Sequence, residues 1–255
     1  MRWRRKYSYL ANAILVIAIF TLPVAAQEQN IWDEYRPSMI LGMPVNEKVI
    51  LFQYTVLIYA PEKKLTTIGV TMPGITYRPF AADGKGTWLE LWAGDLFAWT
   101  DNYHTTNSFE HRPVGGIRTY VPNLKKVNII NFGRYEYRIF HQDNKTTSQP
   151  RFRNRVSIEI PLAKGEKRWA PKTYYIAADV EPFWRLDDKF MEKVRLRGTL
   201  GYIAKKRLAV EFIYHAEWAG SKGKPKNYVG NIWRVSIKLL FPRGKGIFPR
   251  IDIDE

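Results

Sequence analysis

The sequence contains no cysteine, which excludes a disulfide framework, thiol catalysis and cysteine-ligated zinc. Histidine is scarce. Only His104, His111, His141 and His215 are available to a histidine-centred site. Acidic residues are few, 24 against 40 Lys and Arg, and leave a net charge of +16. No DNA- or RNA-binding motif accompanies that basic excess, so nucleic acid is not an expected partner. Helical periodicity is almost absent after the first 26 residues. Nothing there approaches the roughly 18 uncharged apolar residues of a spanning helix. "DGKG" (83–86) lacks the phosphate-loop pattern, and no His/Asp/Glu group has metal-ligand spacing, so no cofactor and no metal are expected.

What is present begins with an export signal. "MRWRRKYSYLANAILVIAIFTLPVAAQEQN" carries Arg2, Arg4, Arg5 and Lys6, then an apolar stretch from Leu10 to Leu22. Val24 and Ala26 precede Gln27, so cleavage is expected between Ala26 and Gln27, making 1–26 a signal peptide. Cleavage removes four basic and no acidic groups and leaves +12. Export turns the basic excess toward anionic partners outside the cytoplasm, such as lipopolysaccharide or acidic glycans.

The rest is a succession of strand-like runs separated by Gly, Pro, Asn, Asp and Lys clusters. About ten are legible between 48 and 241, with no linker dividing them. In "NIWRVSIKLLF" (231–241), Trp233, Val235, Ile237, Leu239 and Phe241 alternate with Arg234, Ser236 and Lys238. In 207–218, Leu208, Val210, Phe212, Tyr214 and Trp218 oppose Arg207, Glu211, His215 and Glu217. Period two gives each strand one apolar and one polar face. A soluble β-sandwich or calycin-like barrel would turn the apolar faces inward to bind an amphiphile or glycan. A membrane barrel would turn them to lipid. Aromatics at strand ends (Tyr174, Trp184, Tyr202, Trp218) and runs of 11 to 14 residues favour the membrane. So do long connections such as "HQDNKTTSQP" and "AGSKGKPKN" against the short "VPNLKK" and "AKK". The expected fold is therefore all-β: one antiparallel transmembrane β-barrel of about 10 strands (8–12). It spans 48–241, with a periplasmic segment at 27–47 and a tail at 242–255. Trp233 to Phe241 forms the closing strand that barrel assembly machinery would read.

The runs "RFRNRVSIEIPL…TYYIAADVEPFW…EKVRLRGTLGYIAKKRLAVEFIYHAEW", after "SFEHR" and "GRYEYR", resemble a family of Gram-negative exported proteins of unknown function, presumed to be outer-membrane β-barrels. The resemblance covers about Lys48 to Phe241. It implies outer-membrane localisation and no particular activity.

The short charged motifs step by two, so each points to one side of its strand. They are Glu110/Arg112, Arg134/Glu136/Arg138, Arg151/Arg153/Arg155 with Glu159, Asp179/Glu181, Arg195/Arg197 and Glu211. With apolar residues toward lipid, this network lines the lumen, and cross-strand pairs such as Arg138 or Arg155 with Asp179 are expected. It would either plug a narrow barrel or form a small anion-preferring passage. A lipid hydrolase built on His and Ser at the barrel wall is the remaining alternative, but no triad is legible, so no enzyme is expected. The barrel is expected to be a monomer.

Overall fold

The computed structural model describes residues 31–61, 65–80, 88–102, 108–121, 127–162, 171–205 and 207–241. The signal segment with Ala26 and Gln27, and the tail 242–255, lie outside the described residues. Eleven strands follow in chain order: β1 (Trp32–Pro44), β2 (Val49–Ala60), β3 (Leu65–Tyr77), β4 (Leu89–Asn102), β5 (Ser108–Tyr120), β6 (Asn128–Gln142), β7 (Lys145–Pro161), β8 (Thr173–Arg185), β9 (Phe190–Lys205), β10 (Leu208–Ala219) and β11 (Asn227–Leu240). Consecutive strands pair antiparallel, while β1 and β11 pair in parallel and close the sheet into a barrel. The expected all-β barrel is observed, with eleven strands.

The barrel starts earlier than the sequence suggested. The stretch 27–47, set apart as a periplasmic segment, contains β1, whose eleven-residue register with β11 makes the closing seam. Pro37 obscured it, since a proline within a run argues against a strand. In the structure the β1–β2 ladder breaks at Arg36 and Pro37 and resumes at Ser38, where a donor is again present. The connection "HQDNKTTSQP" also differs from the long loop expected. Strand β6 continues to Gln142 and β7 starts at Lys145, joined through Asp143 (φ 50°) and Asn144 (φ 60°). Two consecutive left-handed residues make a type I′ hairpin, which follows the twist of its strands. The polar residues read as loop are strand pairs of a protruding hairpin. "AGSKGKPKN" does contain a true loop, residues 220–226.

Side-chain direction divides the barrel. In β6 to β11 and in β1 most apolar residues point outward, among them the exposed Val156, Ile158, Val180, Leu200, Val210, Phe212, Val235 and Ile237, while a few such as Phe132, Phe183 and Ile232 are buried inside. In β2 to β4 the inner face is mostly apolar as well, with Ile50, Phe52, Tyr54, Val70, Met72, Trp92 and Leu96 buried together. Phe52 stacks on Trp92 with ring centroids 5.5 Å apart, and Trp92 meets Phe132 edge-on at 5.6 Å. Two apolar faces blur period two, so the sequence alternates cleanly only in its second half.

Candidate functional site

Among the described residues, the interior concentrates polar chemistry. All charged residues expected in the lumen stand on inner faces: Glu110, Arg112, Arg134, Glu136, Arg138, Arg151, Arg153, Arg155, Glu159, Asp179, Glu181, Arg195, Arg197 and Glu211. Glu136 is its centre. It takes Arg151 Nε at 2.9 Å and Arg153 Nη1 at 3.0 Å, with Arg134 Nε at 2.9 Å and Arg112 Nη1 at 3.8 Å. Arg153 also reaches Glu181, at 2.8 Å through Nη2. The network runs on through Asp179, which pairs with Arg197 Nε at 2.7 Å and Arg155 Nε at 3.6 Å and accepts Ser157 Oγ. Arg155 thus meets Asp179 as expected. Arg138 instead donates to Glu110, through Nε at 2.7 Å and Nη2 at 3.0 Å.

Four smaller groups add to the charged interior. Glu217 accepts Arg195 Nε at 2.6 Å and Lys193 Nζ at 3.0 Å. Glu211 accepts Lys238 Nζ at 2.7 Å and the Tyr175 hydroxyl. Glu90, which sequence reading overlooked because Trp92, Leu96 and Ala98 on the same face are apolar, accepts Arg118, Arg78 and Tyr120. Glu34 and Arg36 pair on β1, in the segment set outside the barrel. Arg207, placed on the charged face by alternation, is exposed at the β9–β10 turn.

Aromatic rings join the charged and apolar halves. Arg153 lies 4.0 Å over Phe183, Arg118 4.6 Å over Phe132 and Arg234 5.3 Å over Tyr54. A guanidinium on a ring keeps its in-plane donors for carboxylates while its face meets apolar surface. The interior is consequently filled: Arg153, Tyr54, Ile232 and Ser236 have no exposed surface.

The histidines disperse. His104 lies outside the described residues. His111 sits on the outer wall, its Nε2 2.8 Å from Asp95 Oδ1, its ring stacked on Phe97. His141 Nδ1 lies 3.1 Å from Thr146 Oγ1 on the protruding hairpin, and His215 is buried in the lumen. Among the described residues the structure brings no hydroxyl, imidazole and carboxylate together at one of them, and no group of His, Asp and Glu is placed to hold a metal. Beyond the interior, an open cleft at one rim lies between the β8–β9 and β10–β11 connections, lined by Arg185, Asp188, Glu192, Lys193 and Lys222. Beside it, hydrogen bonding from Arg185 holds the Asp187 carboxyl below its ordinary range.

Residues 70–228 match the family of proteins of unknown function described as DUF2490. No curated protein and no solved structure matches the chain.

Proposed function

The chain belongs to the DUF2490 family, and on that premise we propose that it is an exported outer-membrane β-barrel whose lumen is closed by its own ion network. Its role in this reading is structural, and the barrel is not an open pore. One observation carries the proposal. On β7 to β11 every large hydrophobic residue in mid-strand that is exposed points away from an interior where most buried side chains are charged or polar, the reverse of a water-soluble barrel.

Strands of 12 to 17 residues exceed what a tilted crossing needs. Outward aromatics gather at both ends: Tyr35, Tyr59, Trp99, Trp184, Trp218 and Trp233 toward one, Tyr77, Trp88, Tyr174, Tyr202 and Phe241 toward the other. Amphipathic rings at the two levels suit two bilayer interfaces. Exposed Lys222 and Lys224 in the β10–β11 loop offer cations to lipopolysaccharide phosphates. The signal peptide and the closing strand, Trp233, Val235, Ile237, Leu239 and Phe241, fit delivery to barrel assembly machinery.

The test pairs two single-cysteine variants with a conductance measurement. Phe212→Cys is expected to react with a membrane-soluble thiol reagent and Glu211→Cys to resist it. Reaction of Glu211→Cys from the lipid phase, or free reaction of Phe212→Cys with a charged aqueous reagent, would overturn the membrane reading and favour a soluble barrel. The folded protein in a planar bilayer is expected to give no steady conductance. Stable anion-selective steps would replace the closed lumen with an anion passage.

A further inference from the structure

Two β-bulges meet at the rim cleft. Strand β9 pairs Met191 with Trp184 and Lys193 with Phe183, which leaves Glu192 as an extra residue in that ladder. Strand β11 pairs Gly230 with Glu217 and Tyr228 with Trp218, which leaves Val229 in the same position. Strand β10 runs between β9 and β11, so the two irregularities flank it near one end of the barrel. A bulge re-aims a side chain. Both extra residues line the cleft, whose volume of about 600 Å³ lies inside the roughly 300–1,000 Å³ range of small-molecule sites.

The walls of the cleft are held in place. The Gly220 N–H donates to Glu192 O at 3.0 Å, and the Lys224 N–H to Ser221 O at 3.1 Å. A Cβ added at Gly220 would lie 2.7 Å from Pro225 O, so the β10–β11 loop folds back closely on itself. Across the cleft, Arg185 Nη2 holds Asp187 at 2.6 Å and Asp188 at 2.8 Å. Glu192 accepts from Arg151 at 3.1 Å, and Lys193 donates to Glu217 at 3.0 Å. The lining is therefore of three kinds. Arg185, Asp188, Glu192 and Lys193 are polar groups fixed by ion pairs, and Phe190 and Val229 are apolar. Lys222 is exposed and takes no ion pair among the described residues.

We propose that this rim cleft binds a short saccharide bearing an acid group. Such a ligand displaces no ion pair. Paired carboxylates and guanidiniums keep further lone pairs and N–H groups, and a sugar hydroxyl serves either as donor or acceptor. The C–H faces of sugar rings suit Phe190 and Val229, and the acid group suits Lys222 Nζ. A phosphorylated core sugar of lipopolysaccharide and the muramic acid of peptidoglycan share this chemistry. The choice of those two sources rests on export to the cell envelope. The site does not rest on the membrane reading, since a soluble exported barrel with the same rim would bind equally.

The folded protein in lauryldimethylamine oxide, a detergent with neither sugar nor phosphate, is titrated calorimetrically with three probes. They are the delipidated core oligosaccharide of lipopolysaccharide, the same oligosaccharide after phosphatase treatment, and the disaccharide of N-acetylglucosamine and N-acetylmuramic acid. Saturable binding of the phosphorylated core alone would assign lipopolysaccharide, and of the muramic disaccharide alone peptidoglycan. Phe190→Ala is expected to weaken binding about tenfold through lost apolar contact. Lys222→Glu is expected to weaken the acid-bearing probe about tenfold and to leave the phosphatase-treated one unchanged. Arg207→Ala, at the opposite rim, should leave every affinity as it was. Heat-shifted gel mobility establishes that each variant is folded, and saturation-transfer NMR reads binding where the heat is small. No saturable binding of any probe by either method, or unchanged affinity in folded Phe190→Ala and Lys222→Glu proteins, would overturn the proposal. Equal affinity for the phosphorylated and phosphatase-treated oligosaccharides, with no binding of the muramic disaccharide, would overturn the acid group.

Discussion

Glu136 stands among four guanidiniums with 1 % of its surface exposed, so its loss strands several buried cations at once. Glu136→Gln is expected to lower barrel stability by about 3–5 kcal/mol, the usual cost of removing one side of a buried pair. Urea titration of the folded protein followed by tryptophan fluorescence measures it. A loss under 1 kcal/mol, roughly what an exposed pair contributes, would mean that water already enters the network. Glycine matters at residue scale where a ring lies across the backbone. A Cβ added at Gly201 would overlap the Tyr175 ring, and one at Gly74 the Phe52 ring. Gly201→Ala is expected to cost about 1–3 kcal/mol by overpacking and to displace the Tyr175 hydroxyl from Glu211. Tyr175→Ala should make the glycine substitution nearly neutral in a double-mutant cycle. The charged motifs were legible residue by residue because period two fixes which side chains share a face. Which acid meets which base was not. Arg138 turns to Glu110 and not to Asp179 because it stands opposite Gln149 on β7, whereas Asp179 stands opposite Ser157, far along the same strand.

The β6–β7 hairpin is set by two residues with positive φ, Asp143 and Asn144. Asn144→Val is expected to destabilise the protruding hairpin by about 1–2 kcal/mol, since a β-branched residue resists the left-handed conformation. Asn144→Gly should cause no loss. Amide exchange at Gln142 and Lys145 would report both. On the outer wall, Asp95 and His111 interrupt an otherwise uncharged surface between β4 and β5. If that wall meets lipid, replacing both by Leu is expected to stabilise the barrel in bilayers by about 1–2 kcal/mol, while Asp95→Leu alone gives less or none. Destabilisation by the double substitution in bilayers would argue that water or another protein surface covers this wall. Strands β6 to β11 were legible in sequence because one face is ionic and the other apolar. Strands β2 to β4 were visible as apolar runs whose inner face could not be assigned, and β1 was hidden by Pro37.

An odd strand count fixes how the ends of the molecule lie. Because β1 and β11 run parallel, Trp32 and Leu240 stand at opposite ends of the barrel. In oriented proteoliposomes, Ile31→Cys and Phe241→Cys are expected to react with an impermeant reagent added from opposite sides. Labelling of both from one side would contradict the parallel seam and point to an even count. The sequence by itself determined the class of structure. Alternation with turn chemistry and no cysteine leaves a sheet-built fold, and the separation of charged from apolar residues onto opposite faces of the later strands follows from period two. Only the tertiary structure decided the closure, the division of the lumen into an apolar and an ionic half, and the pairing within the network. These depend on which strands lie side by side and how deeply their inner faces are packed. Such relations join residues up to about two hundred positions apart, as where Arg234 donates to Ser38 across the seam. No local period in the chain encodes them.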